Sequence, residues 1–114
     1  MRAHDKVGRL AVLRAYRSIP FLARTFIFLR LFILPLEEIE AFVPVGAVLD
    51  IGCGYGLLSH YIAYRNPRRT VTGIELDSVL VARANAATPA GKKIHFMEGD
   101  AATVCLEKYD CIVM

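Results

Sequence analysis

Cysteine is scarce in this chain, and tryptophan is absent altogether. The three cysteines, Cys53, Cys105 and Cys111, are odd in number and form neither a CxxC pair nor a Cys/His spacing typical of zinc sites. Their spacing therefore argues against a disulfide framework and predicts no structural metal centre. We interpret them as small apolar residues buried in a protein of the reducing cytoplasm.

Charge is also sparse, and it is unevenly distributed. Charged residues make up 22% of the 114 positions and the net charge is only +3, so the composition does not require a polyanionic partner. Hydrophobic residues make up 55%, which argues against disorder and allows one domain with a modest core. Residues 1–30 nevertheless hold seven bases against a single acid, Asp5, whereas the remainder holds seven bases and ten acids. The seven N-terminal bases are Arg2, Lys6, Arg9, Arg14, Arg17, Arg24 and Arg30.

An uninterrupted apolar run long enough to span a bilayer is missing as well. Residues 19–36 are very apolar, but Arg24 and Arg30 interrupt them, and Pro20 and Pro35 bracket them. A spanning helix needs about 20 predominantly apolar residues, and an arginine at mid-bilayer costs roughly 2.5–3.5 kcal/mol. No small-residue cleavage site follows, which argues against a secretory signal. Four interpretations stay open: a helix packed on the domain, an interfacial helix in peripheral contact with a membrane, a helix lining a site for an apolar substrate, and, least favoured, a membrane-spanning helix.

Hydrophobic periodicity divides the chain into a helical segment, residues 1–43, and an alternating α/β domain, residues 44–114. The patterns predict helices over 5–18, 21–34, 36–42, 55–65 and 78–87, and strands over 45–51, 70–76, 93–97 and 109–114. Alternation of strands and helices with short links predicts βαβ units and a parallel sheet. Ligands of such sheets bind at the carboxyl ends of the strands. Residues 52–56, Glu75 and residues 99–100 all fall at those ends.

The glycines at positions 52, 54 and 56 follow a strand and precede a helix, as in a dinucleotide-binding loop. The dinucleotide pattern G-x-G-x-x-G needs a glycine at position 57, where Leu57 stands. Asp50 lies just upstream, and its carboxylate would repel a pyrophosphate at the helix N-terminus. It would attract a ligand with a cationic centre. S-adenosylmethionine, with a sulfonium, an α-ammonium and no phosphate, fits this pattern.

Four segments in order resemble the class I S-adenosylmethionine-dependent methyltransferases. DIGCGYG is similar to the first motif of that family, VTGIELD to the second, FMEGDA to the third, and YDCIVM to the start of the fourth strand. The resemblance covers residues 45–114. It implies a Rossmann-like, doubly wound parallel sheet, here with its first four strands and preceded by N-terminal helices. It also implies S-adenosylmethionine as the cofactor. A generic Rossmann-like domain that binds another nucleotide is the alternative.

The same resemblance assigns roles in the glycine-rich loop. Gly52, Gly54 and Gly56 are expected to let the backbone approach the methionine portion of the cofactor, because a Cβ there would collide with it. Cys53 lies between them and is included in the predicted cofactor site. Asp50 is expected to attract the ammonium end, directly or through water.

The remaining implied ligands follow the second and third strands. Glu75 is expected to accept hydrogen bonds from both ribose hydroxyls. Leu76 is expected to pack against the adenine face. Asp100 is expected to accept from the adenine amino group, with the backbone amide of Ala101 offered to the ring; the alternative for Asp100 is a plain turn residue.

Other polar residues have simpler interpretations. Asp77 is predicted to cap the helix that follows it. His60 is interpreted as a packing or helix-surface residue rather than a base. His4 and His95 have no argued partner, and no catalytic residue can be named.

In the family, the methyl acceptor sits in loops after the fourth and later strands. Because the sequence ends at Met114, inside the fourth strand, we expect an N-terminal fragment or truncated product that is marginally stable and lacks the acceptor site. We predict a cytoplasmic enzyme that methylates a small-molecule or lipid-like acceptor, with peripheral membrane contact through residues 19–36 as an alternative to a purely cytoplasmic location. RNA or protein methylation is the rival, disfavoured by the lack of a basic, aromatic-interleaved patch. A non-catalytic cofactor-binding or interaction module is the third alternative.

Overall fold

Five helices and four strands make up the computed structural model, which describes residues 3–17 and 19–114. The helices are α1 (Ala3–Ala15), α2 (Phe21–Ile33), α3 (Leu36–Glu40), α4 (Leu57–Arg65) and α5 (Ser78–Ala86). The strands are β1 (Gly46–Ile51), β2 (Arg69–Glu75), β3 (Ile94–Glu98) and β4 (Cys111–Val113). Two short 3-10 turns, Ala101–Thr103 and Leu106–Lys108, connect β3 to β4. All nine predicted elements are present, in the predicted order.

The predicted bounds differ from the observed ones at a few ends. The helix predicted from residue 55 begins at Leu57, because Gly54 and Gly56 both have positive φ and cannot belong to a right-handed helix. The fourth strand is shorter than predicted and begins at Cys111. The first helix begins earlier than predicted and ends at Ala15, and its predicted end at Ser18 lies outside the described residues.

The four strands form one parallel sheet in the order β3-β2-β1-β4. This arrangement confirms the predicted α/β class, and it places β4 beside β1. Parallel pairing brings the carboxyl ends of the strands to one edge. Asp50 of β1 lies beside Gly73 of β2, and Glu75 at the end of β2 lies beside Glu98 of β3.

Both crossover helices pack on the same face of the sheet. Val48 and Val71 contact Ile62 of α4, and Phe96 contacts Ala84 of α5. On the opposite face, Met97 and Ile112 are exposed. Within the described residues, both crossover helices therefore lie on one face of this sheet, although Leu49 and Ile74 on the other face are buried as well.

The N-terminal helices add a second layer over α4. Their shared core is completely or nearly buried and consists of Val12, Tyr16, Ile27, Leu31, Leu36, Leu57, Tyr61 and Ala87. Pro20 immediately precedes α2, and Leu34 is extended (φ −69°, ψ 134°) because the following Pro35 disfavours helical backbone. None of the helices in the described ranges is long and apolar enough to cross a membrane. The inner side of α2 is thus packed on the domain, one of the four interpretations of residues 19–36.

Candidate functional site

The glycine-rich loop between β1 and α4 folds over the end of the neighbouring strand. Gly52, Gly54 and Gly56 have φ values of 70°, 57° and 83°, a region that residues with a side chain rarely adopt. The amides of Gly52 and Cys53 both donate to the carbonyl oxygen of Ile74, at 2.9 and 3.1 Å. These bonds fix the loop at the carboxyl edge of the sheet.

The three glycines have different surroundings. A Cβ at Gly52 or Gly54 would meet no atom within 4 Å, so both positions face open space. A Cβ at Gly56 would lie 2.6 Å from Phe96 Cζ and 3.2 Å from Ala84 Cβ. The first two glycines therefore leave room beside the loop, whereas packing within the protein itself requires the third.

Asp50 is a buried carboxylate beneath this loop. Its side chain is almost completely inaccessible, and the Ser59 hydroxyl donates to its Oδ2 at 2.6 Å. Burial raises the pKa of Asp50 to about 6, and the bond from Ser59 opposes part of that rise. A nearby cation would favour the charged form of this group. Ser59, on the first turns of α4, was missed by sequence reasoning because nothing in the sequence pairs it with Asp50.

The Asp50→Asn variant is expected to be stabilised by an amount that grows between about pH 4 and about pH 6. In this window the folded protein holds a proton on Asp50 that the unfolded chain releases, since the pKa rises from 3.8 to about 6 on folding. The contribution of Asp50 to stability therefore falls as the pH rises, by on the order of 1–3 kcal/mol across the window. Asparagine carries no such charge. Urea denaturation of both proteins across this pH range measures the difference.

The pH dependence of the wild type alone does not isolate Asp50, because His60 changes stability in the opposite direction over an overlapping pH range. Burial lowers the pKa of His60 from 6.5 to about 4, so its contribution to stability rises with pH over an overlapping window. Because His60 is present in both proteins, its effect cancels in the difference between them. A stability difference that stays constant over the whole pH range would contradict the assignment for Asp50.

Glu75 reaches from the end of β2 to the glycine-rich loop. Its Oε1 accepts from the amide of Gly54 at 3.2 Å, and its Oε2 accepts from the amide of Asp77 at 3.0 Å. A carboxylate offers about four acceptor positions, so two remain for a ligand. The two amides hold the half-buried carboxylate in one orientation beside the loop.

Cys53 lies between the two predicted carboxylates. Burial raises the pKa of its thiol to about 12, and the negative charges of Asp50 and Glu75 add to this effect. The thiol therefore stays protonated and is a poor nucleophile. The structure also corrects the expectation that all three cysteines are buried: Cys53 and Cys111 are half-buried, and Cys105, in the connection between β3 and β4, is exposed.

The residues assigned to adenine lie at the ends of β2 and β3. The amide of Gly99 donates to the carbonyl of Glu75 at 3.0 Å, which ties the two strand ends together. Leu76 is 70% exposed and so presents an apolar surface to solvent. Asp100 is exposed, and its Oδ1 accepts from the amide of Ala102 at 3.0 Å, capping the turn that begins at Ala101. Asp100 thus acts as a turn residue here, and its contact with adenine stays a prediction.

A cleft of about 670 Å³ opens between the glycine-rich loop, the N-terminal helices and the end of β4. The loop side is formed by Asp50, Gly52, Cys53, Gly54 and Tyr55. The remaining lining residues are Phe26, Arg30, Leu34, Leu36, Ile39, Leu57, Leu58, Leu80 and Met114. Glu75, Leu76 and Asp100 are not among them, so the predicted ligands divide between this cleft and the open strand ends. The contributions of α2 and α3 agree with the interpretation that residues 19–36 line a site.

Two of the simpler interpretations are confirmed. The Oδ1 atom of Asp77 accepts from the amide of Val79 at 2.9 Å and caps α5. His60 is buried, with Nε2 3.4 Å from the carbonyl of Ala84 and its ring edge-on to that of Tyr16. His95 is exposed, and the side chain of His4 lies outside the described part of the chain.

Comparison with known proteins relates this site to methyl transfer. A tRNA1(Val) (adenine(37)-N6)-methyltransferase of Porphyromonas gingivalis is 39% identical over 83 residues, covering 61% of this chain and 32% of the relative. A trans-aconitate 2-methyltransferase of Paracidovorax citrulli is 35% identical over 71 residues, covering 60% and 26%. This chain thus spans about a third or less of the length of these curated relatives.

Solved structures and a family model agree with these relatives. The plantazolicin methyltransferase BpumL, in complex with SAH (S-adenosylhomocysteine), superposes with a TM-score of 0.58 at 24% identity, over 93% of this chain and 45% of that one. This likeness shows the fold. The model for the methyltransferase small domain matches residues 30–114, which include α3, the glycine-rich loop and all four strands. The chain therefore belongs to the methyltransferase small domain family, within the class I S-adenosylmethionine-dependent methyltransferases.

Proposed function

We propose that this chain binds S-adenosylmethionine and forms the donor half of a methyltransferase that acts on a small-molecule or lipid-like acceptor. The observation that supports donor binding most directly is the open space beside Gly52 and Gly54, next to the buried carboxylate of Asp50. Asp50, Gly52 and Gly54 line one cleft, which leaves room for an extended arm that ends in an ammonium group. The fold neighbour BpumL was solved in complex with SAH, which favours the same ligand.

Different residues around the loop contact different parts of the donor. Gly52 and Gly54 leave room for the methionine arm, and Cys53 borders it. Asp50 neutralises the ammonium group, which in turn favours its ionised form. Glu75, already oriented by two backbone amides, accepts from the ribose hydroxyls with its remaining lone pairs.

The adenine ring extends along the ends of β2 and β3. There the exposed side chain of Leu76 packs on one face of the ring. Asp100 accepts from the exocyclic amino group, and the amide of Ala101 donates to the ring. The bond between Gly99 and Glu75 keeps the two strand ends at a fixed separation while both contact the ligand.

Once bound, S-adenosylmethionine supplies a methyl group on a positively charged sulfur, and transfer is an in-line displacement by the acceptor. The contribution of this chain is to orient the donor and to keep water away from the reacting atoms. The apolar cleft lining beside the loop serves the second purpose. His60 is buried between the rings of Tyr16 and Phe96, and burial lowers its pKa to about 4, so it is a weak base in this fold.

The lining of the cleft supports a small or lipid-like acceptor. Arg30 is the one cation among the lining residues that the structure describes, and most of the others are apolar. Recognition of RNA would call for several cations along the path of the phosphates. RNA remains the second candidate because a relative at 39% identity is named as a tRNA methyltransferase.

Glu75→Ala is expected to weaken the binding of S-adenosylhomocysteine by roughly 10- to 150-fold. Loss of hydrogen bonds to a charged group costs about 1.5–3 kcal/mol, and about 1.4 kcal/mol corresponds to a factor of ten. Isothermal titration of the 114-residue chain with S-adenosylhomocysteine measures this change. The matched control is Glu107→Ala, which removes an exposed carboxylate from the connection between β3 and β4 and should leave the affinity unchanged.

Two further results would decide between the proposed functions. If the wild-type chain fails to bind S-adenosylhomocysteine, the proposed donor site is wrong and a non-enzymatic module is left. If it binds, incubation of the chain with radiolabelled S-adenosylmethionine and separated cell fractions tests whether the cleft also takes an acceptor; label in no fraction would show that the chain supplies the donor site alone and would contradict an acceptor site in the cleft. Label in the organic-extractable or small-molecule fraction would support the proposal, and label confined to RNA would replace it with the second candidate.

A further inference from the structure

The outward side of α2 is apolar and uncovered. Its outer face consists of Phe21, Leu22, Phe28, Leu29, Phe32 and Ile33, all exposed, with Leu22 at 82%, Phe21 at 78% and Ile33 at 77%. The inner stripe, Ile27 and Leu31, is buried in the core shared with α1, α3 and α4. Thr25 is the one uncharged polar residue in this helix. So many large side chains left in water on one helix mark a surface that binds something.

The charges beside this face are all positive. Arg24 and Arg30 lie three residues before and three residues after Ile27, so they emerge on either side of the buried stripe. Both are exposed, and neither has a carboxylate partner among the described residues. Between Asp5 and Glu37 the sequence contains no acidic residue. Arg14 and Arg17, which precede the helix in the sequence, are exposed as well.

This combination matches the interface of an anionic bilayer. The outer face would enter the boundary between headgroups and acyl chains, while the flanking arginines would extend to the phosphates. Positive residues near the surface strengthen such binding only when the lipids are negatively charged. A protein partner would need acidic groups placed on both sides of a narrow apolar strip, whereas a lipid surface supplies them everywhere.

We propose that α2 docks this protein on an anionic lipid surface, with its outer face buried in the bilayer and Arg24 and Arg30 on the headgroups. Phe26 and Arg30 also line the cleft beside the glycine-rich loop, so the docked protein opens that cleft towards the lipid. Delivery of a lipid-like acceptor from the bilayer to the cleft rests in addition on the proposed function. The docking itself does not depend on it.

Vesicle flotation of the 114-residue chain, without any methyl donor, tests the docking. The wild type is expected to float with vesicles of phosphatidylcholine mixed with phosphatidylglycerol at low salt, and to bind pure phosphatidylcholine weakly. Arg24→Glu with Arg30→Glu should lower the partition coefficient on the anionic vesicles by about tenfold or more. Lys92→Glu with Lys93→Glu is the control of equal charge change, on exposed residues just before β3. It should float like the wild type, as should Glu75→Ala.

Several results would contradict docking through α2, and each has its own measurement. A wild type that stays at the bottom of the gradient, or equal loss in the two charge-reversed pairs, would overturn the proposal. Phe28→Ser with Phe32→Ser tests the apolar face, because these rings are exposed and contact each other. If sedimentation shows a wild-type dimer that this pair dissociates, and no vesicle binding, then a second copy of the chain covers the face instead. Circular dichroism verifies that each variant is folded.

The lack of tryptophan allows a direct measurement of depth. Phe28→Trp introduces a single indole on the outer face, and its emission should shift to the blue when anionic vesicles are added. Tyr64→Trp, at an exposed position of α4, is the matched control and should keep its emission. A shift at position 64 without one at position 28 would place the lipid contact elsewhere and reject α2 as the docking element.

Discussion

Replacing Arg69 by alanine is expected to lower the free energy of unfolding by about 3–5 kcal/mol, the cost typical of breaking a buried ion pair from one side. Arg69 is only 5% exposed. Its guanidinium donates to Glu40 Oε1 at 2.8 Å, to the carbonyls of Ile62 at 2.9 Å and Pro44 at 3.2 Å, and to that of Val43. One side chain thus joins α3, α4 and the approach to β1 at the start of β2.

The size of the effect follows from what the substitution leaves behind. Without the guanidinium, buried carbonyl oxygens lose this donor, and Glu40 loses its 2.8 Å partner while the longer contact to Arg65, at 3.9 Å, stays. Each buried acceptor without a partner costs about 1–3 kcal/mol. Since a domain of ordinary stability has about 5–15 kcal/mol in total, the loss is a large share of it. Urea denaturation at neutral pH measures the change.

Arg68→Ala is the matched control for this prediction. Arg68 is the preceding residue and is exposed, and its backbone rather than its side chain makes the local contact, to Asn66. Its replacement should change stability by no more than about 0.5 kcal/mol. Equal losses of stability in the two variants would show that the buried hydrogen bonds of Arg69 add nothing to the effect of removing one positive charge at this point of the chain.

This pair of arginines illustrates what the sequence can and cannot predict. Adjacent and identical, Arg68 and Arg69 differ only in where their side chains point, and the partners of Arg69 come from residues 40–44 and from Ile62. Sequence patterns report local periodicity, so they predicted the five α-helices and four strands of the described residues and the edge of the sheet at which the candidate site lies, but not the two 3-10 turns before β4. They carry no signal for a bond between residues 29 positions apart, such as that of Arg69 with Glu40.

In the candidate site, too, the sequence predicted the residues at the strand ends but not the contacts between them. Asp50 and Glu75 were predictable because strand ends in a parallel sheet meet at one edge. The bond from Ser59 to Asp50 and the bond from the Gly54 amide to Glu75 depend on how the loop folds in three dimensions. The cleft was predicted only as one alternative for residues 19–36. The hydrophobic pattern of an apolar helix is the same whether the helix lines a cleft, packs in a core or faces a membrane. In α2, Ile27 and Leu31 pack in the core, Phe26 and Arg30 line the cleft, and the remaining large apolar side chains are exposed.

The glycines at 52, 54 and 56 were given a single explanation from the sequence, room for the ligand. The structure supplies a different one for the third. A Cβ at Gly52 or Gly54 points into open space, whereas at Gly56 it points into the cluster of Phe96 and Ala84 beneath the loop. Alternating glycines in a sequence do not reveal which of them faces the ligand and which faces the core, and substitution distinguishes the two.

Gly56→Val is expected to lower the free energy of unfolding by about 2–5 kcal/mol, the sum of two separate costs. At φ 83° a residue with a Cβ pays roughly 1–2 kcal/mol for the left-handed conformation. The Cβ would also lie 2.6 Å from Phe96 Cζ and 2.7 Å from Phe96 Cε1, and overpacking of a core costs about 1–3 kcal/mol. Denaturant titration measures the total.

Gly91→Val separates the two costs. Gly91 has nearly the same φ, 80°, but a Cβ there would meet nothing within 4 Å, so only the conformational cost of roughly 1–2 kcal/mol applies. The excess loss at Gly56 is then the packing cost, and it should shrink when Phe96→Leu shortens the opposing side chain, since contacting residues are not additive. If Gly56→Val and Gly91→Val lose the same stability, and Phe96→Leu gives no relief, then the third glycine serves the turn alone and not the core beneath it.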